Sequence, residues 1–224
     1  MYQVLSGITG GLFDAKNHFE EINKLFKTVG ALRDFHVQQQ LMEKVTTENS
    51  IVLSEKFLTQ FNEKRTETSQ SVKLALTEFE GDKMTESLEN ASLLIENLND
   101  KSILKNIIRL LKLRLKQIQK LLTVKKDEDK IHLMRKRVKQ VCYIVDLIKV
   151  IDPDKNHFKH HDRFKEAAEL LGNWHDYVIL ANLAGNYLYD NIDDDAILEL
   201  YIYLKEDEKI YLKKARKKLK KYFS

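Results

Sequence analysis

The chain has 224 residues, a formal net charge of +4 and a single cysteine, and it is 43% hydrophobic and 32% charged. This composition is typical of a folded globular protein rather than a disordered one, and no apolar run approaches the ~18 residues that a membrane-spanning helix needs. One cysteine excludes an internal disulfide framework and suits a reducing compartment, so we expect a cytoplasmic protein with no membrane segment.

Apolar residues recur with helical spacing through almost the whole chain, which predicts an all-α fold. Gly81 separates the second predicted helix from the third, Asn99 can cap the fourth, and Asp152 before Pro153 is typical of an N-cap followed by a first helical residue. Long helices with short connections predict antiparallel bundles. The predicted helices lie at about 14–45, 50–79, 83–98, 101–123, 128–150, 153–189 and 194–222.

An internal repeat relates FKTVGALRDFHV (26–37) to AAELLGNWHDYVI (167–179) at a constant offset of 142 residues. The offset superimposes Gly30 on Gly172 and Asp34 on Asp176. A glycine inside a helix costs ~1 kcal/mol relative to alanine, so its recurrence at the same phase predicts close helix packing at both places. We therefore expect one domain over 1–224, built from two related half-bundles at 1–98 and 99–224.

Positive charge is concentrated in two segments. Residues 101–141 hold fourteen Lys/Arg against three Asp/Glu, a net charge of +11, and residues 205–224 hold nine against three, a net charge of +6. On the fourth predicted helix the cations share one face and recur about every turn, at Lys101, Lys105, Arg109, Lys112, Lys116 and Lys120. The last helix aligns Lys205, Lys209, Lys213, Arg216 and Lys220 in the same way.

The fifth predicted helix has a basic side opposite an apolar side. Its basic side carries His132, Arg135, Lys136, Lys139 and Tyr143, within roughly 60° of one direction. The apolar side, which can pack on a core, carries Leu133, Met134, Val138, Val141, Ile144, Val145 and Ile148.

Such rows are either solvated helix faces or contacts for an anionic partner. Solvated faces usually mix both signs and gain i,i+4 pairs, whereas these rows contain almost no acids. Because one turn advances ~5.4 Å, each row is a ladder of cations that a linear polyanion fits better than a single small anion. Nucleic acid, a membrane surface and inorganic polyphosphate are the candidates. Few aromatics accompany the rows, and no helix-turn-helix, zinc-finger or RNA-binding signature is present.

The basic helix resembles a known family. His132, Arg135, Lys136, Lys139 and Tyr143, written H-x-x-R-K-x-x-K-x-x-x-Y, resemble the basic helix motif of CHAD domains, the conserved histidine α-helical domains. GALRDFHV and LGNWHDYVI are similar to the two LG-x-x-RD-x-x-V segments of that family, one per half. The resemblance implies two related four-helix bundles around a basic channel that binds inorganic polyphosphate.

The same resemblance assigns anion contact to the cations of the basic helix, and it matches Arg33 and His175 to the arginine of the RD pairs. An aspartate at Asp34 or Asp176 would orient a neighbouring cation. Moving the basic helix back by 142 residues places its first copy before Met1, so the N-terminal half is expected to be incomplete. The predicted polyphosphate-binding residues are His132, Arg135, Lys136, Lys139, Tyr143, Arg33, His175, Lys105, Arg109, Lys112, Lys116, Lys213, Arg216 and Lys220, with Asp34 and Asp176 in support.

We interpret the chain as a binding module rather than an enzyme, with no catalytic residue, cofactor or metal, and we expect it to associate with polyphosphate granules. The glycines near the N-terminus lack the GK[ST] ending of a phosphate-binding loop, and no catalytic triad or carboxylate pair can be recognised. The alternatives are a nucleic-acid or acidic-protein binder and a helical scaffold kept soluble by its lysines. A metal site at His157, His160, His161 and Asp162 is a less favoured interpretation, because no Cys or HExxH partner lies nearby.

Overall fold

The computed structural model describes residues 2–9, 11, 13–124, 127–153 and 158–223, and every regular element within these ranges is helical. The all-α prediction is therefore confirmed. The helices are α1 Tyr2–Ile8, α2 Ala15–His18, α3 Glu20–Asn49, α4 Glu55–Thr77, α5 Gly81–Glu96, α6 Asp100–Leu121, α7 Glu128–Ile151, α8 His161–Asp190 and α9 Asp195–Phe223.

The helix boundaries follow side-chain caps where the sequence provides them. Asn99 caps α6 by accepting a hydrogen bond from the backbone N–H of Ser102 at 2.8 Å, as predicted. Asp127 caps α7 in the same way, accepting from the N–H of Lys130 at 3.0 Å. Gly81 is the first residue of α5 rather than part of the preceding connection.

The predicted N-cap at Asp152 is wrong. Its backbone N–H donates to the carbonyl oxygen of Ile148 at 2.8 Å, so Asp152 closes α7. Pro153 lies in a turn, and α8 begins only at His161. The physical reason is that a proline disfavours the α conformation in the residue before it, which ends the preceding helix.

The helices form two compact units. Unit 1 comprises Met1–Glu20, Glu80–Leu170 and Lys214–Ser224, and unit 2 comprises Glu21–Phe79 and Leu171–Lys213. Each unit takes segments from both of the halves expected at 1–98 and 99–224. The division into related halves stays a prediction about the repeat.

In unit 1, the core lies where α6 packs on α7. The buried residues of α6 include Ile107, Leu111 and Ile118, and α7 buries the predicted stripe from Met134 to Ile148. Leu133 was expected in that stripe but is 37% exposed, because it falls at the edge of the buried face. The start of the chain is fixed to this core, since the Asn106 side chain donates to the carbonyl oxygen of Ile8 at 3.0 Å.

In unit 2, an apolar cluster joins α3 and α4 to the parts of α8 and α9 that belong to this unit. Its members include Phe57, Phe61 and Leu200. Asp194 ties three helix ends together, because it accepts from the Ser54 hydroxyl at 2.6 Å and from the Tyr187 hydroxyl at 3.0 Å. Ser54 caps α4, so this cluster couples the start of α4 to the connection between α8 and α9.

The two repeat glycines do not mark close helix packing, contrary to the prediction. A Cβ built on Gly30 or on Gly172 would meet no neighbouring atom within 4 Å. At Gly185, which lies later in the same helix as Gly172, a Cβ would instead come within 3.2 Å of the Tyr201 ring. The surrounding atoms would therefore leave room for a larger side chain at both repeat positions.

We expect the substitution Gly172→Ala to raise the free energy of unfolding by about 0.5–1 kcal/mol, because alanine has the higher helix propensity and its methyl group has open space. Gly185→Ala, in the same helix, is the matched control: contact with Tyr201 should cancel the gain. Thermal and urea unfolding of both variants measure the difference. An equal change in both variants would contradict the assignment of free space at Gly172.

Candidate functional site

The five motif residues of α7 lie on the side of the helix away from its buried stripe. We call His132, Arg135, Lys136, Lys139 and Tyr143 the motif surface. Lys136 is exposed and Tyr143 is 56% exposed, whereas the other three side chains are half-buried. The Nε2 atom of His132 lies 3.6 Å from Oε1 of Glu128, one turn earlier. The motif surface therefore presents cations and a phenol hydroxyl together on unit 1.

The predicted cation row of α6 consists of exposed side chains: Lys101, Lys105, Arg109, Lys112, Lys116 and Lys120. Its side chains point away from Ile107, Leu111 and Ile118, which contact the core of unit 1. Within the described residues, none of these six cations forms an ion pair. Lys101, Lys105, Arg109 and Lys112 line a groove of about 780 Å³ together with Ser102, Leu104, Asn106 and Ile108. We call the six exposed cations of this helix the α6 row.

The predicted row of α9 does not form one surface within a unit. Lys213 belongs to unit 2, whereas Arg216 and Lys220 belong to unit 1. Arg216 Nη2 donates to the carbonyl oxygen of Val124 at 2.7 Å, and burial lowers the pKa of its half-buried guanidinium. Arg216 therefore holds the connection after α6, and Lys220 is exposed.

The remaining predicted residues lie in unit 2, on α3 and α8. Arg33 is exposed, while His175 and the two supporting aspartates, Asp34 and Asp176, are half-buried. Trp174, which precedes His175, is completely buried. Their contribution to an anion site stays a prediction.

Sequence reasoning missed a pair of arginines at the α6–α7 packing. The side chains of Arg114 and Arg137 each donate from Nη1 to a glutamine three residues later, Gln117 at 3.0 Å and Gln140 at 2.8 Å. Burial lowers the pKa of both guanidinium groups, and the positive charge of Arg137 lowers that of Arg114 further. The sequence carries a partial signal, because R-L-K-Q and R-V-K-Q are the same pattern on two consecutive helices, but this pattern does not show that the two arginines lie close together.

This arginine pair is electrostatically unfavourable by itself. Two like charges repel more strongly where protein has replaced water. In the described structure the Nε atom of each arginine is buried without a hydrogen-bond partner. An anion near this side of unit 1 would reduce the repulsion, so the pair adds to the attraction that the exposed cations exert.

The histidine segment has a structural role where it can be described. His157 lies outside the described residues, and His160 is exposed. His161 is 4% exposed, with Nδ1 at 2.8 Å from Nζ of Lys149 and Nε2 at 3.3 Å from Oδ1 of Asp146. Because an ammonium group only donates, Nδ1 accepts and the ring is neutral. No group of three or more potential metal ligands occurs among the described residues.

The comparisons identify the family. The model of the CHAD domain matches residues 4–185, so the chain belongs to the CHAD domain family. Comparisons with curated proteins and with solved structures give no match. Among the described helices, none has the length and apolar character needed to cross a membrane.

The His161 contacts predict a pH dependence of stability. Burial, followed by the charge of Lys149, lowers the pKa of His161 below its ordinary value of 6.5. The unfolded chain therefore binds a proton at this histidine more readily than the folded protein does. The contribution of neutral His161 to the free energy of unfolding is complete above about pH 6.5, and it is lost as pH falls through that value toward the folded-state pKa.

We expect His161→Gln to make the melting temperature depend less steeply on pH between pH 7 and pH 5, since glutamine does not titrate and its side-chain oxygen can still accept from Lys149. Substitution of the neighbouring exposed histidine, His160→Gln, is the control. If both variants retain the pH dependence of the parent protein, His161 is not its source.

Proposed function

We propose that the protein binds inorganic polyphosphate through the motif surface and the α6 row. The observation that carries this proposal is the α6 row itself: exposed cations about one turn apart, with no ion pair to any described carboxylate. A stable solvated helix would normally intersperse acids and gain i,i+4 pairs. A linear chain of phosphates can neutralise successive cations along such a row.

Membership of the CHAD family supports polyphosphate over other polyanions, because the family is associated with polyphosphate binding. Composition supports the same choice. Single-stranded nucleic acid is usually held by bases stacked on aromatic rings, worth ~1–3 kcal/mol per base. Tyr143 is the single aromatic residue of the motif surface, and the α6 row has none.

The residues of the motif surface would contribute in different ways. Lys136 is an exposed point charge, while the half-buried Arg135 and Lys139 have less conformational freedom to lose when a phosphate binds. Hydrogen bonds from charged donors to phosphate are worth more than neutral ones, at about 1.5–3 kcal/mol each. Contacts at several such groups would give tight association without a catalytic residue or cofactor, so we infer a binding module, located where polyphosphate accumulates.

Affinity should increase with polyphosphate chain length until the basic surface is filled, because each added phosphate reaches another cation. Calorimetric titration with orthophosphate, tripolyphosphate and a long polyphosphate at one salt concentration measures this. Orthophosphate should bind poorly. Equal affinities for tripolyphosphate and the long chain would contradict a multi-site surface.

Charge reversals locate the surface. We expect Lys136→Glu with Lys139→Glu, and separately Lys105→Glu with Lys112→Glu, to weaken binding of long polyphosphate at least tenfold. Each lost contact costs about 1 kcal/mol or more, and the new carboxylates repel phosphate. Lys64→Glu with Lys73→Glu, two exposed lysines of α4, changes the net charge by the same amount and should have a much smaller effect.

Circular dichroism and thermal melting should show that all three double variants remain folded, since none of the changes affects a buried apolar side chain. Equal losses of affinity in all three would mean diffuse electrostatic attraction rather than a site. Tighter binding of length-matched single-stranded DNA than of polyphosphate would favour the nucleic-acid alternative.

A further inference from the structure

A second basic groove lies in unit 1, and none of its lining residues belongs to the motif surface or to the α6 row. The start of α8 and the end of α9 form its walls, and its volume is about 500 Å³. We call it the α8–α9 groove. It is lined by Lys159, His160, Asp162, Arg163, Glu166, Lys214, Lys217, Lys218 and Lys221.

The lining carries a large excess of positive charge. Six of the lining residues are Lys or Arg and two are Asp or Glu, which leaves +4 with His160 neutral. Glu166 pairs with Lys218, and Arg163 Nη1 donates to the backbone carbonyl oxygen of Lys221 at 3.2 Å. These contacts hold the two helices against each other across the groove but neutralise little of its charge.

Helix stability alone does not explain this arrangement. Cations in the last turn of a helix are favoured by its dipole, which accounts for Lys221. Lys217 and Lys221, however, are also an i,i+4 pair of like charges, which is destabilising by a few tenths of a kcal/mol. Lys159 and Arg163 come from the other wall, near the start of α8. Cations from two helices therefore converge on one concavity, at a cost that a bound anion would offset.

We propose that the α8–α9 groove binds a compact small molecule that carries several phosphate groups, at a site separate from the polyphosphate surface. The volume lies in the range of about 300–1,000 Å³ that is usual for small-molecule sites. Lysine and arginine are the side chains that bind phosphate most strongly. The cations of the α6 row follow one helix, whereas these cations come from two segments and face one open groove between them, which favours a compact ligand over an extended chain.

The test is calorimetric titration with myo-inositol hexakisphosphate and, in a second arm, with ATP, at one fixed ionic strength. Both probes are small molecules that carry several phosphate groups, but they differ in how those groups are arranged. We expect saturable one-to-one binding of at least one probe. Lys217→Glu with Lys221→Glu should weaken that binding at least tenfold, whereas the charge-matched Lys64→Glu with Lys73→Glu should change it less than threefold.

Two further variants keep the proposal falsifiable. Lys217→Gln with Lys221→Gln avoids placing carboxylates at the end of α9, so it should stay folded and still weaken binding at least fivefold. Lys136→Glu with Lys139→Glu should leave probe binding within threefold while weakening long polyphosphate. Absence of binding by both probes, equal losses in the groove and control variants, or loss of probe binding in the Lys136/Lys139 variant would each overturn the proposal. Failure of long polyphosphate to bind, with probe binding intact, would instead overturn the proposed function.

Discussion

The packing of α6 against α7 is the constraint on which the basic surfaces of unit 1 depend. Ile107, Ile118, Met134, Val138 and Val141 have no solvent-exposed surface. Fully burying a side chain of this size contributes roughly 1.5–3 kcal/mol. Because the inner stripes fix the rotation of both helices, they also fix where each outer side chain points. The α6 row is held outward, and the motif surface is held opposite the α7 stripe, by apolar contacts made on the other side of each helix.

The same packing has an electrostatic cost that the apolar contacts must offset. It brings the guanidinium groups of Arg114 and Arg137 close enough for one charge to act on the other, and it partly removes both from water. Each keeps a hydrogen bond to its own helix through Gln117 or Gln140, which limits the penalty for lost hydration. Both guanidinium groups also add to the positive potential of unit 1.

Local patterns in the sequence were enough to predict the long helices and the cap at Asn99, because apolar spacing and capping side chains act within a few positions. The same local reasoning failed at Pro153, where an N-cap interpretation competed with the restriction that proline places on Asp152. It also failed at Gly30 and Gly172, since the space around a glycine depends on distant segments. The α6 row was predictable because it requires only one helix, whereas the Arg114–Arg137 pair and the α8–α9 groove require knowing which helices are neighbours.

Two kinds of basic surface in unit 1 imply two kinds of anion recognition. Along the α6 row the spacing follows the pitch of one helix, so successive contacts are similar and affinity comes from their number. In the α8–α9 groove, residues 159–166 and 214–221 supply cations from opposite walls, so geometry limits which ligand can contact them together. Both surfaces belong to a unit that already carries unfavourable like-charge contacts. Any anion that binds the folded unit better than the unfolded chain relieves part of that repulsion, and mass action then couples ligand binding to the stability of unit 1.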